Sequence, residues 1–200
     1  MKRFNMLLTV LALSTTLMAQ GYKVGDKATD FRLLNVDGKM VSMADFPDAK
    51  GFIIIFTCNH CPYSVAYEDR KIELHNTFAP MGYPVIAINP NDSIAQPQDS
   101  YSKMKIRAKE KAFPYPYLLD AEQTVYKEYG ATRTPHVFLL QREESDFVVR
   151  YIGAIDNNHE DAAKADKKYV EMAIKAIETG KQPDPDFTRA IGCTIKVRKS

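Results

Sequence analysis

The sequence predicts an α/β sandwich, a central mixed sheet with helices on both faces. Three observations lead there. Two continuous apolar, β-branched runs, GFIIIFT at 51–57 and GYPVIAIN at 82–89, are too short for core helices and suit buried central strands. Helical patterns fall between and after them. Two later apolar runs, HVFLLQ at 136–141 and FVVRYIG at 147–153, flank the charged turn REESD and precede one more helical stretch. That late strand pair separates the chain from a simple doubly wound sheet.

The elements follow in order. Residues 1–20 pair a basic start, MKRF, with an apolar stretch and small residues up to Ala19, the layout of a secretory signal peptide cut after Ala19. The apolar run falls short of the ~20 residues of a spanning helix. We therefore expect a signal peptide at 1–20 and a single domain at 21–200, exported to the periplasm or another extracytoplasmic space. Membrane contact is expected only through the signal peptide. Removing it takes Lys2 and Arg3 and no acid, so the formal charge falls from +2 to zero. No basic surplus is left to suggest a nucleic-acid partner.

In the mature chain, Asp37-Gly38 between two short runs predicts a hairpin. Residues 62–79 read as a helix with Pro62 in its first turn and Tyr63, Tyr67, Leu74 and Phe78 on one face. A charged helix is expected at 100–112, and an irregular or extended stretch at 113–120. Asp120 and Gln123 resemble a capping box for a short helix that Gly130 ends. Residues 160–179 place Ala162, Tyr169, Ala173 and Ile177 on an amphipathic stripe, stopped by Gly180.

The chemistry centres on IIIFTCNHCPYS at 53–64. Cys58 ends a buried strand and Cys61 enters a helix. Backbone N–H groups at a helix start stabilise an anion, so the spacing favours a thiolate at Cys58. A disulfide closed over two residues is strained and more easily reduced than a structural bridge. Export lets such a pair cycle. Asn59 and His60 lie between the sulfurs. Either His60 lends charge or a hydrogen bond to the Cys58 thiolate, or it faces solvent; the sequence leaves both open.

A structural bridge is disfavoured by the short loop. A metal site is disfavoured because one C-x-x-C supplies two ligands, and Cys193, His75, His136 and His159 offer no second pair at suitable spacing. We expect no metal and no cofactor. Thr134-Pro135 directly before a buried strand marks that strand's start and is a candidate for a cis bond. Cys193, the third cysteine, reads most simply as a half-buried free thiol; the sharper reading is a third thiol that exchanges electrons with the pair.

Taken together, C-x-x-C at a strand-to-helix junction, a Thr-Pro before a later strand and a closing helix resemble the thioredoxin superfamily. ATDFRLLNVDGKMVSMADF at 28–46 resembles its AhpC/TSA (redoxin) branch. FTCNHCPYS and the late GCTIKVR are similar to exported redoxin-domain proteins of the TlpA/ResA kind. The resemblance spans roughly residues 24 to 200 and implies a three-layer thioredoxin-like sandwich with an N-terminal β-hairpin.

The resemblance also implies a thiol–disulfide oxidoreductase in which Cys58 attacks, Cys61 resolves and Pro135 is a cis-proline facing them. Thr134 would pair with an extended substrate, and His136 would lie near the sulfurs. The partners implied are a protein or small-molecule disulfide and an electron donor or acceptor. Three departures stand out. Thr57 replaces the usual Trp before the first Cys, the strand holds no buried acid, and Pro62 follows the pair. A peroxiredoxin is the alternative, but its P-x-x-x-T-x-x-C pattern fits neither register: counting back from Cys61 gives Cys58 and Ile54, and from Cys58 gives Ile55 and Gly51. A metal-binding or chaperone module on the same fold is the further alternative.

Overall fold

A computed structural model describes residues 21–199. The expected signal peptide and its cleavage site lie outside the described residues. The chain forms a short β1 (Lys27–Ala28) and the expected hairpin, β2 (Leu33–Asn35) and β3 (Met40–Val41), around Asp37-Gly38. Next come β4 (Gly51–Phe56), α1 (Pro62–Ala66), α2 (Glu68–Phe78), β5 (Val85–Asn89), α3 (Tyr101–Glu110), β6 (Tyr117–Leu119) and α4 (Val125–Tyr129). The chain closes with β7 (Arg133–Thr134), β8 (His136–Glu143), β9 (Asp146–Gly153), α5 (Tyr169–Glu178) and β10 (Cys193–Thr194).

Eight strands make one mixed sheet in the order β1-β9-β8-β4-β5-β6-β2-β3, and β10 pairs separately with β7. β4 is central, parallel to β5 and antiparallel to β8. All six of its residues are buried, which is why no polar residue alternates along it. Phe52, Ile54 and Phe56 face one core with Tyr126 and Tyr129 of α4. Ile53 and Ile55 face a second core built from α2, α3 and α5, including Leu74, Met104 and Ile174. The expected three-layer α/β sandwich is therefore present.

Two local expectations need correction, and two short strands add detail. The helix expected over 62–79 is two helices, with the backbone bending at Tyr67 (φ −94°, ψ 3°). The helix expected over 160–179 begins only at Tyr169, and Ala162 is exposed in a short 3-10 turn. The 113–120 stretch contains β6, parallel to β5, because Tyr117 and Leu118 bury there. Residues 27–28 add an edge strand to β9, too short to show a period.

The elements are tied down near the cysteine pair. Tyr67 donates to Asp156 at 2.8 Å and Arg70 pairs with the same carboxylate at 2.6 Å, fixing the start of α2 to the loop after β9. Arg107 of α3 grips buried Glu68 through two bonds of 2.7 and 2.6 Å. Gly130 takes the left-handed conformation (φ 76°) that ends α4.

Candidate active site

Cys58 follows the end of β4, and Cys61 is the N-cap of α1 with Pro62 at the first helical position. The intervening segment is held by one carboxylate. Asp99, buried in the loop before α3, accepts from the Asn59 amide (2.8 Å), the His60 amide (3.2 Å) and Asn91 Nδ2 (2.7 Å). Its Oδ2 also lies 2.6 Å from His60 Nδ1. The Asn59 side chain donates to Gln98 O and accepts from the buried Tyr117 hydroxyl, each at 2.9 Å. His60 thus bridges Asp99 and the first sulfur, its Nδ1 lying 3.6 Å from Cys58 Sγ.

Cys58 and Cys61 are both buried, and Thr134 lies against both sulfurs. Cys58 Sγ is 3.3 Å from Thr134 Oγ1, and Cys61 Sγ is 3.2 Å from Thr134 O. The Thr134–Pro135 peptide is cis, as the motif suggested. The pair behaves as one titrating unit. The hydrogen bond from Cys58 holds Cys61 down at about 4, while the bond to Cys61, burial and the Asp99 charge push Cys58 up.

Two further expectations change. His136 does not turn to the sulfurs. Its Nδ1 accepts from the Thr132 amide at 3.3 Å and its ring packs on Phe138, on the α4 side of the sheet. Burial there pulls its pKa down to about 4. Thr134 does not offer a free strand edge either. β10 pairs antiparallel with β7, putting Cys193 opposite Thr134 and Cys193 Sγ 2.6 Å from Cys61 Sγ.

Two site residues escaped the sequence reading. Lys71, 2 % exposed, donates to Thr57 Oγ1 at 2.8 Å and to Ser64 O at 3.4 Å. Burial pulls its pKa down to about 8, against the pull of Glu68 and of the two cysteines. Thr57, where thioredoxins carry Trp, is its acceptor. Asp99 is the other, and a loop acid of this kind carries no local signal. For Lys71 there was one: the 63, 67, 74, 78 stripe leaves a gap that a residue at 71 fills.

As for metals, the donor atoms of Cys58, His60 and Asp99 lie within 4.8 Å of one another and are the described residues that would hold a cation. The set fits poorly. Both Asp99 oxygens already accept from amide donors, and His60 Nδ1 faces the carboxylate directly.

This arrangement of vicinal thiols, N-cap and cis-proline can carry out thiol–disulfide exchange. An uncharacterized conserved protein from Geobacillus kaustophilus shares 32% identity with the chain over 90% of it and 95% of that protein, with a TM-score of 0.82. A hypothetical protein from Sinorhizobium meliloti shares 30% over 90% of this chain and 98% of that one, again with a TM-score of 0.82. The thioredoxin domain of a thiol-disulfide oxidoreductase from Bacteroides vulgatus aligns at 18% identity over 66% of this chain and 91% of that one, with a TM-score of 0.53, a likeness of fold. No curated protein matches the chain. The AhpC/TSA family matches residues 24–157. With that match over most of its length, on a sheet and helices of thioredoxin type, the chain belongs to the AhpC/TSA family of thioredoxin-like redoxins, whose chemistry is thiol–disulfide exchange or peroxide reduction.

Proposed function

We propose that this redoxin is an exported thiol–disulfide oxidoreductase working through Cys58-Asn59-His60-Cys61. The observation that carries the reading is that Thr134, joined to Pro135 by a cis bond, contacts both sulfurs, its Oγ1 3.3 Å from Cys58 Sγ and its carbonyl oxygen 3.2 Å from Cys61 Sγ. Cys61 takes the proton of Cys58, and the Cys58 thiolate attacks one sulfur of a substrate disulfide. A Cys58–substrate disulfide forms and the other substrate sulfur leaves as a thiolate. Cys61 then passes its proton to the departed substrate thiolate and attacks Cys58 Sγ, releasing the second substrate sulfur as a thiolate. The Cys58–Cys61 disulfide forms, and the substrate departs reduced by two electrons. Asp99 and Tyr117 hold the Asn59-His60 segment so that the sulfurs keep their spacing. Lys71 supplies a buried positive charge beneath them.

Export is supported by the leader-like pattern of residues 1–20 and by the oxidising setting in which such a pair cycles. No helix among the described residues is long and apolar enough to cross a membrane. The test is insulin disulfide reduction with dithiothreitol as electron source. Wild type accelerates it, and Cys58→Ser and Cys61→Ser fall to background. Equal rates in wild type and Cys58→Ser overturn the reading.

A further inference from the structure

The C-terminal strand lies where an extended substrate would lie. Cys193 faces Thr134 in the β7/β10 pair, and Gly192 makes the approach possible. A Cβ at Gly192 would sit 2.2 Å from Thr134 O. The strand is pinned on both sides. Upstream, Thr188 Oγ1 meets the Tyr151 hydroxyl at 2.5 Å and accepts from the Ala154 amide at 3.0 Å. Downstream, Ile195 is buried, the Lys196 amide donates to Asn91 Oδ1 at 2.8 Å, and Lys196 O accepts from the Asp92 amide at 2.9 Å. Holding the third sulfur in place makes its reaction with the pair unimolecular. Of the three thiols, Cys193 is the half-exposed one, whereas Cys58 and Cys61 are buried.

Resting on the exchange function proposed above, we propose that Cys193 is a third catalytic cysteine, which takes Cys61 from the Cys58–Cys61 disulfide and exchanges it with an external dithiol donor. The Cys193 thiolate attacks Cys61 Sγ. The Cys61–Cys193 bond forms, the Cys58–Cys61 bond breaks, and the proton given up by Cys193 ends on Cys58. This step is an isomerisation with no net electron transfer. A donor thiolate then attacks Cys193 Sγ, and Cys61 leaves as a thiolate. The donor's second thiol resolves the mixed disulfide, so two electrons and two protons pass from donor to protein.

Electrostatics time the first step. In the reduced protein, burial and the hydrogen bond and charge of Cys61 push Cys193 up to about 11. Oxidation of the pair removes that charge, so that only burial still opposes the Cys193 anion, which Lys196 and Arg133 favour.

The test uses the oxidised full chain, quenched in acid, alkylated and cut with trypsin. Cys58 and Cys61 fall in the peptide 51–70 and Cys193 in 190–196. The proposal expects these two peptides joined through Cys61 in part of the population, with Cys58 alkylated. Cys193→Ser is expected to lose most of the rate at which dithiothreitol re-reduces the oxidised protein. A Cys58–Cys61 disulfide alone, with Cys193 alkylated at every redox poise, overturns the proposal, as does unchanged or faster re-reduction of Cys193→Ser. In either case insulin turnover that still depends on Cys58 leaves the proposed function standing. Loss of that dependence sinks the function itself.

Discussion

Replacing Lys71 with Met removes a buried ammonium from beneath the cysteine pair, and the effect has a calculable pH signature. Lys71 is 2 % exposed and its partners are a hydroxyl, Thr57 Oγ1, and a carbonyl, Ser64 O. Burial lowers its pKa from 10.5 to about 8 in the folded chain. The unfolded chain therefore binds more protons between those values, and stability rises with pH across that interval. Below about 8 the lysine is charged in both states and the fold bears the full desolvation cost. At about 1.36 kcal/mol per pH unit, the interval is worth about 3 kcal/mol.

Urea unfolding of the reduced proteins at several pH values from 7.5 to 10.5 measures it, and subtracting the variant cancels the tyrosine titrations that both proteins share. The stability of Lys71→Met relative to wild type is expected to be about 3 kcal/mol more favourable at the low end than at the high end. A difference that stays constant with pH refutes a buried, partly neutralised lysine. The same variant is expected to raise the pH at which thiolate absorbance appears, since the cysteine charges, after Glu68, oppose the lowering of Lys71.

Three further outcomes are expected. His136, buried and held down at about 4, is neutral in the fold, while the unfolded chain charges near 6.5. Its contribution is complete above 6.5 and is lost as pH falls through 4, so wild type should lose about 3 kcal/mol more than His136→Phe over that window; parallel acid unfolding curves would contradict this. Arg107→Met leaves Glu68 buried with only Lys111 at 3.5 Å, and should cost about 3 kcal/mol in denaturant unfolding, against under about 1 kcal/mol for an ordinary surface pair. Gly192→Val drives a side chain against Thr134 O and should reduce the peptide 51–70 to 190–196 cross-link in oxidised protein while Cys58–Cys61 still forms.

Much of the architecture was legible because it rests on burial alone. The run at 51–56 has no polar residue, and only a strand covered on both faces uses such a run. The Asp37-Gly38 turn and the Gly130 stop were legible because the backbone there needs residues tolerant of unusual angles. The break at Tyr67 was not, since Tyr63, Tyr67, Leu74 and Phe78 continue one helical stripe straight through it. Strands β1, β7 and β10 have two residues each, too few for any period.

In the site, spacing and chain punctuation located the two cysteines and the Thr134-Pro135 turn. What holds them was invisible. Asp99 reaches Asn59 and His60 across about 40 positions of sequence, and Cys193 meets Cys61 only because a pinned tail crosses the sheet end.

The most direct measurement is a redox titration of the Cys193→Ser protein, which isolates Cys58 and Cys61. Protein equilibrated in graded thiol–disulfide buffers is alkylated and the 51–70 peptide is weighed. The account predicts that both thiols disappear together in one two-electron transition, a tenfold change in ratio spanning about 30 mV. Thiols that stay alkylatable under oxidising conditions, or that oxidise only between chains, would contradict it.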